Sequence, residues 1–390
     1  MEIANSPPRH LTYCGNVHPT ASAEELIANL ERFVPPLRAK LGSTEPLAMG
    51  LFFGGDAAKQ FVQQPKLLAR LRSTLDTLNA YALTANAFPL GDFHAARVKT
   101  EVYRPDWQQG ERLRYTLRVA QIMAHLPTRS TFQSVSTLPG SYKEFESVDY
   151  ELIAKNLRLA AEGLERIEKD TGREIVLAVE PEPGCAFETS REWIDFFQSL
   201  LSTRSEEHRI RRHLGTCYDT CHQAVEFEDA DESLRRFKSA GIRIAKMQMS
   251  TALRLERPGD RAVAVERLAG YAEPRYLHQV IAKRHDGLLD AFEDLPEYLE
   301  LIDSRDDAEA RIHFHVPIYW AEAGEGLLTT RPDLEAATKT ALELGTVEHF
   351  EIETYSWHAI PGAAAQAQDE DLVADIAREY EYARSLLRAT

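Results

Sequence analysis

Short apolar segments alternate with longer segments of helical periodicity along almost the whole chain, and this alternation constrains the fold more than any other feature. Strands that alternate with helices form a parallel sheet with right-handed crossover connections. A helix is predicted between most neighbouring strands, for example over 150–167, where apolar residues recur on one face. Nine segments are predicted as strands: 11–18, 47–53, 81–88, 131–138, 175–179, 214–219, 242–250, 311–317 and 350–355.

Two architectures fit this pattern, a closed (β/α)8 barrel and a doubly wound open sheet. The barrel is favoured because no glycine-rich phosphate-binding loop follows the first predicted strand. We therefore predict one TIM-barrel domain over residues 1–390, with a lid-like loop at 92–110 and an insertion at about 251–310. Because such a barrel has eight strands, one predicted strand lies outside it, and the sequence leaves open which one.

Charge and composition narrow the range of partners. The chain carries a formal net charge of −16, which repels phosphate backbones at long range, so nucleic acid is not an expected partner. No apolar run is long enough to span a membrane, and the N-terminus lacks the basic start and apolar stretch of a secretion signal. We therefore expect a cytoplasmic protein without membrane insertion, in which the four cysteines are reduced.

Side chains alternate between the two faces of a strand, and this places acidic groups inside the predicted barrel. In the segment 175–182, Val176 and Ala178 share a face with Glu180 and Glu182, while the apolar residues between them face the helices. The two carboxylates therefore lie at the inner carboxyl end of the strand, where the active sites of TIM barrels are found.

The same alternation brings polar side chains to the carboxyl ends of other predicted strands. They are Asn16 with His18, Cys217 with Asp219, Lys246 with Gln248 and Ser250, His313 with His315, and Glu351 with Glu353, and His222 follows Asp219 closely. Any one of them is more often a structural residue, so the inference depends on their coincidence. Clustered buried carboxylates repel one another, and a divalent cation removes that conflict. Oxygen and imidazole ligands suit Mn²⁺, Mg²⁺, Co²⁺, Fe²⁺ or Zn²⁺, which the sequence does not distinguish.

Two motifs resemble the xylose isomerase-like superfamily of TIM barrels. They are Glu180-Pro181-Glu182-Pro183-Gly184 and Asp219-Thr220-Cys221-His222. The resemblance implies that Glu180 and Asp219 are metal ligands and that His222 is a ligand or a substrate contact. There is also a departure: Glu182 stands where the E-P-K-P motif of true xylose isomerases has its catalytic lysine, which argues against plain aldose isomerisation by the same route.

The epimerase branch of this superfamily adds a metal-binding histidine on the seventh strand and a glutamate on the eighth. The best matches are His315 and Glu353, so the ligand set that the resemblance implies is Glu180, Asp219, His315 and Glu353. Chain order instead makes 242–250 the seventh strand and puts Gln248 at the position of the histidine. The sequence leaves open whether Gln248, His222 or His315 contacts the metal.

More narrowly, nearly the whole chain resembles the EboE family of metabolite-traffic proteins. The resemblance is carried by the segments 11–19, 102–107, 272–279 and 353–358, which read LTYCGNVHP, VYRPDW, AEPRYLHQ and ETYSWH. It implies a bacterial protein, encoded in an operon, that helps to make or move a small secondary metabolite together with the products of neighbouring pathway genes.

These features lead to a functional hypothesis, a divalent-metal-dependent isomerase or epimerase acting on a sugar- or cyclitol-like hydroxy-ketone. Glu180 and Glu353 are the predicted catalytic carboxylates that move a proton between carbons. Predicted substrate contacts are His18, Arg104, Trp107, Glu182, Glu188, His222 and Gln248. The alternative is a non-catalytic binding or trafficking protein that uses the same pocket. A phosphodiesterase or endonuclease of the same superfamily is disfavoured by the acidic charge.

Overall fold

A computed structural model describes residues 1–5, 8–256, 261–362 and 368–388. Within these ranges the strands are β1 Glu2–Asn5, β2 Pro8–Tyr13, β3 Leu47–Phe52, β4 Ala80–Asn86, β5 Phe132–Thr137, β6 Glu174–Val179, β7 Leu214–Asp219, β8 Ile244–Met249, β9 Thr251–Glu256, β10 Val280–Arg284, β11 Leu289–Phe292, β12 Asp307–Val316, β13 Leu328–Thr329 and β14 His349–Ile352.

The helices follow the strands as the sequence predicts. They are α1 Ala23–Leu41, α2 Gly55–Gln63, α3 Pro65–Thr77, α4 Gly110–Ala124, α5 Tyr150–Thr171, α6 Ser190–Leu200, α7 Arg204–His213, α8 Thr220–Val225, α9 Ala230–Ser239, α10 Arg261–Ala269, α11 Leu295–Leu301, α12 Arg331–Leu344 and α13 Asp369–Arg388. Capping residues set the ends of two of these helices. The Ser22 side chain accepts the Glu25 N–H at the start of α1, and Gly172 ends α5 in the left-handed conformation. None of the helices in these ranges is long and apolar enough to cross a membrane.

Eight parallel strands form the barrel predicted from the sequence, in the order β2-β14-β8-β7-β6-β5-β4-β3. The ring closes between β2 and β3 through a bridge from Cys14 to Gly50. A Cβ atom on Gly50 would lie 2.5 Å from the Tyr13 carbonyl oxygen, so the close approach at this seam requires glycine. The closed barrel rules out the open-sheet alternative, and β1 only extends β2 as an antiparallel neighbour.

The interior of the barrel follows the predicted alternation of side chains. Val176 and Ala178 of β6 pack inside with Phe132, Cys217 and Ala245. Their neighbours along the strand pack instead into the larger core between the sheet and the helices. The alternation therefore places the carboxylates that continue β6 and β14 over the mouth of the barrel.

A second, antiparallel sheet with the order β11-β10-β12-β9-β13 is inserted between barrel strands β8 and β14. It contains β12, so the strand predicted at 311–317 is the ninth one, outside the barrel. Its pairing with β9 is antiparallel, with Ile312 opposite Leu253, and this answers the question that the sequence left open. The sheet has its own apolar core, which includes Phe314 and Tyr298.

The predicted carboxyl end of the first strand is wrong. We expected it to continue to His18, but β2 ends at Tyr13 and residues Gly15–Val17 form a short 3-10 helix. The chain turns where Gly15 packs against β3, since a Cβ atom on Gly15 would lie 2.7 Å from the Gly50 carbonyl oxygen. Residues beyond the turn no longer follow the alternation of the strand.

Candidate metal centre

A pocket of about 60 Å³ lies at the carboxyl ends of the barrel strands, beneath the inserted sheet. Its polar lining comes from the barrel mouth, from β12 and from the segment 92–110, and aromatic side chains complete it. The carboxylate, imidazole, amide and ammonium groups belong to Asn16, Asn86, Lys99, Glu180, Glu182, His222, His313, His315 and Glu353. The site therefore combines the two parts of the fold.

Three carboxylates converge at the base of this pocket. One oxygen each from Glu180, Asp219 and Glu353 lies within 4.8 Å of the others, and all three side chains are buried. Glu180 Oε2 and Asp219 Oδ2 have no hydrogen-bond partner among the residues that the structure describes. Buried carboxylate oxygens without partners are costly, so the donor set fits a divalent cation.

The electrostatics of the three carboxyl groups differ. Burial, and next the charge of Asp219, raises the pKa of Glu180 to about 8. Burial and the charges of Glu180 and Asp219 likewise raise the pKa of Glu353 well above its ordinary value. Burial also disfavours ionisation of Asp219, but His222, His315 and hydrogen bonds outweigh it and lower the pKa of Asp219. Asp219 is therefore the anion of the group, and a bound cation would favour ionisation of the other two.

Asp219 is held in place because it is also the N-cap of α8. Its Oδ1 accepts the N–H groups of Cys221 at 2.7 Å and His222 at 3.0 Å, and the Ser250 hydroxyl at 2.7 Å. All of these bonds use one oxygen, so Oδ2 is left for the pocket.

Glu353 is oriented by two amides. Asn16 Nδ2 donates to Glu353 Oε1 at 2.8 Å, and Asn86 Nδ2 donates to the same oxygen at 3.2 Å. Asn16 comes from the short helix after β2, and Asn86 ends β4. The two amides hold the Glu353 carboxyl group in one orientation towards Glu180.

His315 joins this cluster from β12 and not from a barrel strand. Its Nδ1 lies 2.8 Å from the Glu353 carbonyl oxygen, and a ligand atom of the ring lies within 4.8 Å of Asp219 and His222. The seventh barrel strand is β8, which carries Gln248, as chain order indicated. Gln248 is fully buried, accepts the Cys217 thiol at 2.8 Å and does not line the pocket.

Glu182 and His222, both predicted as substrate contacts, line the pocket above the carboxylates. The Tyr103 hydroxyl donates to Glu182 Oε1 at 2.8 Å, and burial raises the pKa of Glu182 well above its usual range. Ligand atoms of Glu182, His222 and His313 also lie within 4.8 Å of one another. The pocket thus holds a second group of possible donors beside the carboxylates.

Two further predicted substrate contacts, His18 and Glu188, also do not line the pocket. The His18 ring stacks on Phe33 at 4.1 Å, because the chain has turned away from the barrel mouth after β2. Glu188 pairs with Lys143 at 2.5 Å and accepts the Gly184 N–H. The side chains of His18 and Glu188 therefore both have structural roles.

The predicted lid reaches the pocket through residues other than those expected. Arg104 lies half-exposed over the Phe145 ring at 3.8 Å, and Trp107 is fully buried, with its ring N–H donated to Thr137 at 3.1 Å. The part of this segment that does line the pocket comprises Phe93, Val98, Lys99, Val102 and Tyr103. Lys99 anchors it to the insertion through an ion pair with Asp294 at 2.6 Å.

Sequence reasoning missed three polar residues of the site, Asn86, Tyr103 and Gln279. Asn86 lies in the strand predicted at 81–88, so strand alternation could have found it. Tyr103 belongs to the lid and Gln279 to the insertion, and no local periodicity indicates where either side chain points. Gln279 Nε2 donates to the Tyr103 hydroxyl at 2.8 Å, which joins the lid to the roof of the pocket.

No protein-family model and no curated protein matches the chain. Among solved structures it is similar to a crystal structure of the IolI protein with a bound zinc atom, with a TM-score of 0.52 and 13% identity over 98% of this chain and 100% of that chain. It is also similar to D-psicose 3-epimerase with D-tagatose from Clostridium cellulolyticum H10, with a TM-score of 0.51 and 10% identity over 97% and 99% of the two chains. At such low identity these likenesses establish the fold alone, a TIM barrel.

Proposed function

We propose that this protein is a divalent-metal-dependent isomerase or epimerase that acts on a sugar- or cyclitol-like hydroxy-ketone. The observation that carries the proposal is the buried group of Glu180, Asp219 and Glu353, in which two carboxylate oxygens have no partner. The solved structures of similar fold, one with zinc and one an epimerase with a ketose, are consistent with this chemistry.

In this proposal Glu180, Asp219, His315 and Glu353 hold the cation. When bound, the ion would polarise the substrate carbonyl and so acidify the neighbouring C–H bond. Three oxygen donors and one imidazole suit several divalent metals, so the identity of the ion stays open. The hydrogen bonds to Asp219 Oδ1, Glu353 Oε1 and His315 Nδ1 orient these side chains before any ligand arrives.

Glu180 and Glu353 are the proposed catalytic residues. They come from β6 and β14, which are separated by β7 and β8 around the barrel, so they reach the pocket from different sides. One carboxylate removes the proton from the carbon next to the carbonyl, and the other returns a proton at the neighbouring position or on the opposite face.

Glu182 and His222 are the proposed contacts to substrate hydroxyl groups. Both are buried and line the pocket, and Tyr103 orients Glu182. The rings of Phe93, Tyr276 and Tyr355 cover the upper side of the pocket and exclude water from it. This arrangement suits a small polyhydroxylated molecule better than a polymer.

The assignments of a pathway, of partners and of a cellular location depend on the sequence alone. We infer a role within a bacterial secondary-metabolite pathway from the EboE-like segments, together with products of neighbouring genes and a cytoplasmic location. The comparisons with known proteins give no support for the EboE assignment. A non-catalytic binding protein would use the same pocket, and the experiment below separates it from an enzyme.

The test is solvent exchange at the substrate C–H bond. The protein is incubated with Mn²⁺ or Co²⁺ in D₂O with D-fructose, D-tagatose or a keto-inositol, and proton NMR follows loss of the C–H signal beside the carbonyl. We expect exchange and formation of an epimer or isomer from at least one compound. Glu180→Gln and Glu353→Gln should each lower the rate by about 10²–10⁴-fold.

Glu165→Gln is the matched control, because Glu165 lies on the outer helix α5 and pairs with Arg209. Its rate should equal that of the unchanged protein. If the metal-loaded protein binds one of these compounds in calorimetry but gives no exchange, the enzyme proposal fails and the binding alternative is favoured.

A further inference from the structure

Two histidines of the pocket have the same ring nitrogen fixed by a backbone carbonyl group. His222 Nδ1 lies 3.1 Å from the Pro181 carbonyl oxygen, and His315 Nδ1 lies 2.8 Å from that of Glu353. Because a carbonyl oxygen only accepts, each Nδ1 carries the proton, and in a neutral ring Nε2 is then an unprotonated donor for a metal.

His313 is fixed in the same way through a side-chain amide. Its Nδ1 lies 2.8 Å from Gln279 Oε1, while Gln279 Nε2 donates to the Pro183 carbonyl oxygen at 2.9 Å. The second contact sets the orientation of the amide, since only the NH₂ group can donate to a carbonyl. His313 therefore also carries its proton on Nδ1, and its Nε2 is the unprotonated nitrogen.

The unprotonated Nε2 atoms of His313 and His315 face each other at close range. His313 Nε2 and His315 Nε2 lie 3.3 Å apart, so two lone pairs face each other in a buried site. Lone pairs at this distance repel unless a proton or a metal ion draws on them. A single ion bound by His315 Nε2 would leave His313 Nε2 as an uncoordinated donor 3.3 Å away.

The site also has more donors than one ion needs. Beyond the four ligands proposed for the first ion, Glu182, His222 and His313 form a separate group within 4.8 Å. His222 lies within the same distance of Asp219 and His315, so the two groups adjoin. All three members are buried, and Tyr103 and Gln279 orient them from outside.

We propose that Glu182, His222 and His313 hold a second divalent cation beside the one assigned to Glu180, Asp219, His315 and Glu353. Two imidazoles and one carboxylate form a softer donor set than the three carboxylates of the first site, and they suit Zn²⁺ or Co²⁺ better than Mg²⁺. The inference rests on the proposed function only for the first ion and requires no particular reaction.

The second ion would join the inserted sheet to the barrel. His313 belongs to β12, whereas Glu182 and His222 follow the barrel strands β6 and β7. Its ligands thus come from two parts of the fold, and Glu182 and His222 would then act on substrate hydroxyl groups through the ion and not directly. A substrate with several adjacent oxygens could then bind both ions.

The test counts and locates Zn²⁺ in the full chain. The protein is stripped with a chelator, reloaded with Zn²⁺, desalted and analysed by mass spectrometry for metal per chain, and the ions are located by anomalous diffraction. We expect two ions per chain. His313→Gln and Glu182→Gln, which change the site from the insertion and from the barrel, should each leave one ion, at the carboxylate group.

His285→Gln is the matched control. His285 lies in the insertion between β10 and β11, its side chain is 57% exposed, and its Nε2 lies 3.7 Å from Asp306. It should retain both ions, and circular dichroism should show that each variant is folded.

Three outcomes would overturn the inference. The first is one ion per chain in the unchanged protein, located at the carboxylates. The proposed function would still stand, and a proton shared by His313 Nε2 and His315 Nε2 would explain their close approach. Two ions that persist in both His313→Gln and Glu182→Gln would place the second ion elsewhere. No bound ion at all would remove both this inference and the metal on which the proposed function depends.

Discussion

A buried ion pair lies inside the barrel below the pocket. Lys246 Nζ and Glu351 Oε2 are 2.5 Å apart, and both side chains are fully buried. In Lys246→Met the glutamate would remain buried without its partner, so the free energy of unfolding should fall by about 3–5 kcal/mol. Urea unfolding of the single variant measures this loss.

The double variant Lys246→Met/Glu351→Leu separates the charge from the packing. We expect it to be more stable than Lys246→Met, because no uncompensated charge remains. A double variant as unstable as the single one would mean that packing, and not the buried charge, causes the loss.

Glu379 on α13 gives the stability of the protein a pH dependence. Its Oε1 accepts the Thr354 hydroxyl at 2.6 Å and the Ile318 N–H at 3.2 Å, and burial raises its pKa to about 8. Between pH 4.5 and about 8 the folded state keeps a proton that the unfolded state has lost. The free energy of unfolding should therefore decrease as the pH rises through this window.

Glu379→Gln tests this assignment, because the amide keeps an acceptor oxygen but does not titrate. The variant should be more stable than the unchanged protein at pH 8, by roughly a few kcal/mol, and the two should converge near pH 4.5. The measurement is denaturant unfolding at both pH values. An equal difference at the two pH values would contradict the assigned titration.

At the scale of elements, β12 has two faces with different roles. His313 and His315 face the pocket, whereas Phe314 between them faces the core of the inserted sheet. Phe314 is fully buried and packs its ring edge-on against Tyr271 at 4.9 Å between centroids. One strand thus serves the site and the stability of the insertion at once.

Phe314→Ala should lower the free energy of unfolding by about 3–5 kcal/mol, since it leaves a cavity in this core. Leu289→Ala on β11 is the control from the same sheet, and its effect should stay within about 0.5 kcal/mol because Leu289 is 44% exposed. Guanidinium unfolding measures both variants. Equal effects of the two would show that the insertion core contributes little.

At the scale of the whole molecule, a cation bound only by the folded state must stabilise the protein. At a free concentration of 100 times its dissociation constant, an ion adds about 2.7 kcal/mol. We expect Mn²⁺, Co²⁺ or Zn²⁺ to raise the melting temperature by several degrees and a chelator to reverse it. Glu180→Gln should reduce the shift, and a shift of equal size in that variant would place the ion outside the proposed site.

The barrel and the carboxylates at its mouth could be predicted from the chain without a structure. Alternation between strand faces is a local rule, so Glu180, Asp219 and Glu353 could be placed inside the barrel mouth from their neighbours along the chain. Their convergence needs only that the strands are parallel and that the ring closes, because parallel strands end on the same side.

Which histidines meet those carboxylates depends on contacts between distant parts of the fold. His315 reaches them because β12 pairs antiparallel with β9 and lies over the barrel mouth, a register set by contacts across the insertion. His18 turned away for a similar reason, since the close packing of Gly15 on β3 ends the strand early. Such contacts join residues far apart in the chain, and no pattern of neighbouring residues encodes them.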